Sequence, residues 1–405
     1  MKTLIELFDD YPINNAVAAM HFKPEKIIFV GFTETMKKNR INALKTFFDM
    51  RNMDVETEFE IVGRYDYESI CQKLDSIIEQ NEDCVFDLTG GKEIVLAAMG
   101  TVAEKRDIPM VQFGVRTAKF TRVSRCDKIE EPQIVSMTIP EIITLNGGLM
   151  MEENVAGYSF SLTDDFKDDL EKMWQICCIN CKSWNRQSFV LSGFEGIGIL
   201  DEDLRLTVDI NYAERRNYDT YFDIDIMMQL LENGLISDYK FENHILSFKY
   251  KNEQVHNCIL KAGNILELYV CNLLEEIRSE SEISYGDIRM GVIVDWDGII
   301  HDAASSARDT KNEIDLMATY GMTPIFISCK NGEVNKDDIY ELSAVAEKFG
   351  GEFSKKLLIT TFVSADEDKK KYIKQRAIDL KVDIIDGVDK LERDKFKKEL
   401  RSRAK

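Results

Sequence analysis

The sequence predicts an α/β protein in three units: an N-terminal Rossmann-like domain (residues 1–150), a small winged-helix-like region (151–255) and a second α/β domain (256–405). Three observations carry this prediction. Short apolar runs alternate with helical spacing through the first third. That rhythm stops between about 150 and 250, where helices precede a hairpin. It resumes after a long apolar helix, with strands and helices to the C-terminus. A chain of 405 residues suits two to three domains at roughly 150 residues each.

The elements follow in order. Lys26 to Val30 is a short apolar strand ending at Gly31. Asn39 to Met50 has helical spacing, with Ile41, Leu44, Phe47 and Phe48 on one face. Val55 to Val62 reads as a strand and Tyr67 to Gln80 as a helix. Cys84 to Leu88 is a buried-type strand, followed by Thr89-Gly90-Gly91-Lys92 and a helix through Ala103. Pro109 to Gly114 is strand-like, and the domain closes near Gly147-Gly148. Strands separated by helices imply a parallel sheet covered on both faces. In the middle unit, Phe166 to Cys181 and Phe222 to Leu231 are helical. Leu235 to Asp238 and Ile245 to Tyr250 pair as a hairpin across Asn243-His244. The third unit opens with one long helix from Asn252 to about Glu276. Strands follow at Met290 to Val294, Glu313 to Ala318 and Pro324 to Ser328. A helix spans Asp338 to Phe349. Strands at Leu357 to Phe362 and Val382 to Ile385 flank a further helix.

Composition narrows the function. The chain is 44% hydrophobic, enough for a sizeable core, which excludes global disorder. No apolar run approaches the roughly 20 residues that span a bilayer, so no membrane partner is expected. The start carries one lysine, then acids, and no small-residue cleavage site, which does not suit a secretory signal. Nine cysteines are scattered, an arrangement that fits reduced thiols in a cytoplasm. Cys177, Cys178 and Cys181 resemble half a zinc site but lack a second half. The four histidines form no spaced pair. The net charge of -20 argues against a protein that coats nucleic acid. Residues 331–405 nevertheless carry +2 and the remainder -22, so the C-terminal end repels a polyanion least.

Two motifs can carry chemistry. The first is Asp87-Leu88-Thr89-Gly90-Gly91-Lys92, where a strand gives way to a helix. Helix N-termini offer free N–H groups and a positive dipole end, both suited to phosphate. The glycines allow close backbone approach, Thr89 offers a hydroxyl and Lys92 a charge. The spacing is not that of a Walker A loop. The turn Gly31-Phe32-Thr33-Glu34-Thr35 falls on the same edge of the sheet, where ligands of parallel sheets bind. Two tight βα turns without a ligand would read the same way.

The second motif is Asn312-Glu313-Ile314-Asp315, followed by Ser328-Cys329-Lys330. In a strand Glu313 and Asp315 share a face, and hairpin geometry brings Lys330 beside Asp315. Paired carboxylates hold Mg2+ or Mn2+, and a lysine beside them orients or deprotonates water. That combination suits metal-assisted phosphodiester hydrolysis. Glu267 on the preceding helix and Glu341 on the following one are supporting carboxylates, ahead of Asp295 and Asp297. An edge hairpin with solvated charges is the competing account. Lys311, Lys336 and Lys369-Lys370-Lys371 are candidate contacts to a nucleic-acid backbone.

Taken together, these motifs resemble a family. The strand, Asp-Leu-Thr-Gly-Gly-Lys and helix of the first domain resemble the CARF domain, the CRISPR-associated sensor of cyclic oligoadenylates. The Asn-Glu-Ile-Asp and Ser-Cys-Lys pair resembles a PD-(D/E)xK, restriction-endonuclease-like α/β domain. Their union, spanning nearly the whole chain, is similar to the CARF-nuclease effectors of type III CRISPR systems. The resemblance implies a homodimer that binds cyclic tetra-adenylate across its two CARF domains. It implies contacts to the ring from Thr89, Gly90, Gly91 and Lys92, and from Phe32, Thr33, Thr35 and Asn39. It further implies cutting of single-stranded DNA or RNA, extending to nicking of duplex, with Mn2+ or Mg2+. Asp315 matches the motif's metal-binding Asp and Lys330 its lysine. Ser328 stands where the second acid belongs. Glu313, Glu267 and Glu341 are the candidates to replace that acid, and Cys329 offers a backbone carbonyl to the metal.

Two other readings compete. A ligand-responsive CARF winged-helix transcription regulator would want a basic recognition helix, and residues 222–231 are acidic there, with Asp223, Asp225 and nearby Glu232. A Rossmann dehydrogenase would want GxGxxG after the first strand, where Gly31-Phe32-Thr33-Glu34 stands.

Overall fold

The fold is taken from a computed structural model that describes residues 2–114, 119–125, 136–151, 160–280, 285–301 and 310–404. The N-terminal unit runs β1 (Thr3–Leu7), α1 (Asn14–Phe22), β2 (Lys26–Gly31), α2 (Lys38–Met50), β3 (Glu56–Ile61), α3 (Tyr67–Gln80), β4 (Cys84–Asp87), α4 (Glu93–Arg106), β5 (Met110–Gly114) and β6 (Lys119–Ser124). Its sheet has the order β3-β2-β1-β4-β5-β6, parallel except for β6. Alternation along the strands explains the two covered faces. Leu4, Phe29, Val85 and Val111 pack with α1 and α2, whereas Ile5, Ile28, Val30 and Phe86 pack with α3 and α4. Strand β1 is absent from the sequence reading because Glu6 breaks its apolar run. The strand lies centrally in the sheet and buries that acid. Lys26 to Val30 is therefore the second strand, not the first.

A connecting helix α5 (Ile139–Leu145), closed at its N-terminus by a Thr138–Glu141 capping box, leads to a short strand β7 (Leu149–Met151). Strand β7 does not join the first sheet. It pairs antiparallel with a strand of the C-terminal sheet.

The middle unit holds α6 (Asp164–Ile179), α7 (Cys181–Glu195), β8 (Ile199–Leu200), β9 (Arg205–Asp209), α8 (Ile210–Arg215), α9 (Ile224–Glu232), β10 (Ile236–Glu242) and β11 (Ile245–Tyr250). The expected helix through Cys181 is α6 and ends at Ile179; α7, which the sequence reading did not include, begins at Cys181, where Asn180 caps it by accepting from the Ser183 N–H at 3.1 Å. The expected hairpin is present. Asn243 and His244 both have positive φ, the conformation of a two-residue turn matched to strand twist.

The C-terminal unit comprises α10 (Glu253–Leu260), α11 (Asn264–Glu280), β12 (Tyr285–Asp295), β13 (Lys311–Tyr320), β14 (Thr323–Lys330), α12 (Lys336–Gly350), β15 (Lys355–Thr360), α13 (Glu367–Asp379), β16 (Val382–Asp386) and α14 (Arg393–Ala404). Its sheet order is β16-β15-β14-β13-β12-β7, with an antiparallel β12-β13-β14 meander and a parallel β14-β15-β16 half. The long helix expected from Asn252 breaks at Lys261-Ala262-Gly263, where Lys261 turns extended. That break sets Glu267 in the first turn of α11. The fold is thus α/β, with a Rossmann-like unit, a winged-helix-like unit and a restriction-endonuclease-like α/β unit. The eight described cysteines are free thiols, and no described helix is long and apolar enough to cross a membrane.

Candidate functional sites

In the N-terminal sheet, β1 and β4 are neighbours whose chains leave in opposite lateral directions. Such a switch point opens a crevice at the carboxyl ends of the strands. The loop after β4 adopts the shape its glycines permit, with Gly90 at φ +77 and Gly91 at φ +96. A Cβ at Gly91 would collide with the Leu7 side chain, and one at Gly90 with Asp9 and Asn14. The loop after β1, which sequence reasoning passed over, fills the crevice. The Asp9 carboxylate accepts from the Gly91 N–H, and Asp10 accepts from Lys92 Nζ at 3.1 Å and Arg40 at 2.9 Å. Burial alone would raise Asp10, but Arg40 and Lys92 hold its carboxyl below the ordinary aspartate range. Two internal carboxylates therefore sit on the groups expected to meet phosphate. The only prior sign was the acidic pair Asp9-Asp10 directly after an apolar stretch.

The expected ligand residues divide into two groups. Gly90, Gly91 and Lys92 line the crevice with main-chain and charged groups, and Lys92 is exposed. Thr89 is buried, and its hydroxyl is engaged: it donates to Asp87 at 2.6 Å and accepts from the Phe113 N–H at 2.8 Å. On the far side, Phe32 is a core residue packed with Val30 and Ile5. Thr35 is buried with its hydroxyl closing the turn onto Phe32. Thr33 and Asn39 are exposed. Asn39 and Arg40 border a cleft of about 410 Å³ between the N- and C-terminal units, which Asp10, Trp296, Asp297 and Lys348 also line.

Beneath the crevice, Glu6 and Asp87 face each other across the β1–β4 ladder, both fully buried. Burial first, and Asp87 second, push Glu6 well above the carboxylate range, while burial raises Asp87 to about 6. Carboxyls whose folded values exceed their unfolded ones stabilise the fold at low pH, and that contribution is lost as pH rises through the folded values. Glu6→Gln, which keeps a donor toward Asp87 without the charge, is expected to raise Tm at pH 8 by roughly 2–4 °C. It should change little at pH 5, and melts at the two pH values check this.

In the C-terminal unit, β13 and β14 bring Asp315 beside the Ser328-Cys329-Lys330 segment. Asp315 Oδ2 accepts from the Cys329 N–H at 2.7 Å and from Ser328 Oγ at 3.1 Å. Ser328 thus positions the aspartate instead of supplying a second acid. Burial works to lower Lys330, and Asp315, Asp338 and Glu341 together outweigh it, so the lysine is raised and stays an ammonium. Its direct partner is Asp338 at 3.4 Å, a residue the sequence reading named only as the start of a helix. Asp338 also closes the α12 capping box with Asn335, and the N-x-x-D spacing was the available signal.

Glu267 reaches the same centre from α11. Burial, then Asp315, and to a smaller degree Glu313, push its carboxyl up to about 7. Glu313 is exposed on the rim. Glu341 meets the sheet at Asn312, which donates to it at 3.1 Å, and influences Lys330 through space. The Cys329 thiol is buried and held protonated, first by burial and then by Asp315 and Glu267. Among the described residues no three His, Cys, Asp or Glu side chains form a ready-made metal cage. Asp315 and Glu267 still fit a hard divalent cation. They are neighbouring carboxylates, Asp315 raising Glu267, and Mg2+-type sites commonly use one or two carboxylates completed by water and phosphate.

Comparison with known proteins adds the fold relationship. No protein-family model matches the sequence, and no curated protein matches it. Solved structures do match over essentially full length. Protein VC1899 from Vibrio cholerae superposes with a TM-score of 0.75 at 16% identity, covering 99% of this chain and 97% of that one. Can2 from Sulfobacillus thermosulfidooxidans, solved in complex with cyclic tetra-adenylate, superposes with a TM-score of 0.70 at 15% identity, covering 100% of both chains. The chain therefore has the three-unit fold of Can2 from end to end.

Proposed function

We propose that the protein is a cyclic-oligoadenylate-activated, divalent-metal-dependent endonuclease of a type III CRISPR defence system, working as a cytoplasmic homodimer. In this reading residues 1–150 are the CARF sensor, 151–255 the winged-helix-like link and 256–405 the PD-(D/E)xK nuclease. The observation that carries it is the convergence of Asp315, Glu267 and Lys330 at the two central strands of the C-terminal sheet. A crevice whose Gly91 N–H and Lys92 already grip carboxylates stands in the N-terminal unit. The fold shared with Can2, which was solved with cyclic tetra-adenylate, supports that ligand as the activator.

The mechanism follows from charge. Phosphates of the ring compete with Asp9 and Asp10 for the Gly91 N–H and Lys92, in a pocket already adapted to anions. A symmetric ring on a symmetric dimer biases both subunits together. At the nuclease centre Asp315 and Glu267, with Glu313 on the rim and the main chain of Cys329 beside them, would hold Mn2+ or Mg2+. A cation held there would supply Lewis-acid polarisation of a scissile phosphate and activation of a water. Lys330, kept charged by Asp315 and Asp338, orients that water and the phosphate oxygens.

The test is a cleavage assay on labelled single-stranded DNA, single-stranded RNA and supercoiled plasmid, with Mn2+, with and without cyclic tetra-adenylate. Cutting that needs both metal and activator is the expected result. Binding of the ring without any cutting would leave the sensor and remove the nuclease. Lys92→Ala is expected to raise the activator concentration for half-maximal cutting about tenfold or more, with the maximal rate kept. Parental dependence on activator would refute the assignment of the loop.

A further inference from the structure

Helix α7 lies against the turn that leaves the nuclease strand β14. Asn331, the residue after Lys330, donates to Asn185 Oδ1 at 2.8 Å, and Asn185 donates back to the Asn331 carbonyl. Asn331 also donates to the Ala262 carbonyl at 3.3 Å and to Cys177 Sγ at 3.4 Å. This node ties the end of the Lys330 strand to α6, α7 and the α10–α11 break.

Lys182 and Arg186 flank Asn185 on α7. Four residues apart, they stand on one face with a rise of roughly 6 Å between them. Each carries its charge over a ring. Lys182 Nζ is 5.3 Å from the Phe362 ring centre, and the Arg186 guanidinium is 4.5 Å from that of Tyr221. Asp219 holds Arg186 in place through contacts of 3.1 and 3.2 Å, and Tyr221 is 65% exposed. Lys182, Ser183, Arg186, Gln187, Tyr221 and Asp223 line a concavity of about 340 Å³.

The nearby acids are engaged. Asp223 caps α9 through the Asp225 and Ile226 N–H groups, and Glu333 is bound by Ser364 and Lys369. Among the described residues Lys182 has no carboxylate within ion-pair distance.

We propose that this face of α7, with Tyr221 and Phe362, is the track that delivers single-stranded nucleic acid to the nuclease centre. The inference rests on the nuclease reading and deepens it by naming what grips the strand. Cations at one-turn spacing suit successive backbone phosphates. An exposed ring under a guanidinium suits an unpaired base, which a closed duplex does not offer. The winged-helix-like unit thus supplies substrate contacts and is not merely a connector.

The experiment uses full-length protein with Asp315→Asn as background, cyclic tetra-adenylate present, and fluorescein-labelled dT20 and U20 read by anisotropy across a salt series. Lys182→Ala/Arg186→Ala is expected to weaken binding about tenfold or more. It should also flatten the dependence of log Kd on log salt by about 1 to 1.5. Tyr221→Ala should weaken binding about fivefold or more at an unchanged salt slope, and Tyr221→Phe should keep it. In the Asp315 parent, the same variants raise KM with kcat kept. Activator binding and Tm serve as folding controls.

Parental binding and salt slope in the double variant would overturn the track, whether or not the protein cuts. The same holds if an acidic peptide binds this face and neither oligonucleotide does. Variant-sensitive binding by a parent that cuts nothing would uphold the track and remove the nuclease reading. Cutting with parental KM in every variant would do the reverse.

Discussion

Asp315→Asn is expected to lower activated cleavage by at least about 100-fold while leaving activator binding and Tm close to parental. Asp315 occupies the one position where both sheet strands and α11 meet. It takes the Cys329 N–H and the Ser328 hydroxyl, it is the foremost carboxylate sustaining the Lys330 charge, and it raises Glu267. Asparagine is nearly isosteric, and its oxygen still accepts from Cys329 N–H, so the β13–β14 pairing persists. What disappears is the charge. A site left with Glu267 and a rim glutamate loses most of its hold on a divalent cation, and Lys330 loses its main electrostatic partner. Single-turnover cleavage at saturating Mn2+ and activator, beside a ring-binding titration, separates the two properties. Parental cutting by this variant would place the active centre elsewhere.

Gly91→Ala is the second large effect, in the N-terminal unit. At φ +96 an alanine is strained by about 1–3 kcal/mol, and its Cβ would strike Leu7. Since the loop must shift, the Gly91 N–H and Lys92 no longer converge, and activator response should be lost, with Tm lowered by several degrees. Leu7→Ala added to Gly91→Ala relieves the collision but not the strain, so it should recover part of the Tm. Recovery of Tm without recovery of ring binding would confirm that the backbone conformation at 91 is what binding needs. An unchanged activator response in Gly91→Ala would show that this loop does not contact the ring.

Much of this was legible in the chain. Apolar alternation located the strands that carry Asp87, Asp315 and Lys330, and the glycine pair marked the loop that needs positive φ. What was not legible has identifiable causes. A buried acid, Glu6, disguised the central strand β1, because a fully buried carboxyl runs against ordinary patterning. Single side chains decided the helix ends: Asn180 stops α6 two residues short of the expected end and caps α7, which the sequence reading left out. The hydroxyls of Thr35 and Thr89 read as ligand donors, yet they close a turn and brace Asp87. Spacing shows that a hydroxyl is near a loop but not which partner it chooses. Asp9, Asp10 and Asp338 were missed because they are brought into place by elements distant in sequence, as Asp10 is to Lys92.

Strand β7 carries a wider consequence. Three residues, Leu149–Met151, hydrogen-bond along the outer edge of β12, and α5 just before them ties back to α2 through the 2.9 Å Glu141–Arg51 ion pair. The joint between the outer units is therefore woven rather than strung. Severing the chain just after Met151 would strip β12 of its outer neighbour and leave a raw sheet border open to self-association. Recombination that trades heads and tails among proteins of this architecture has to place its crossover ahead of Leu149, so that each tail keeps the ribbon that seals it.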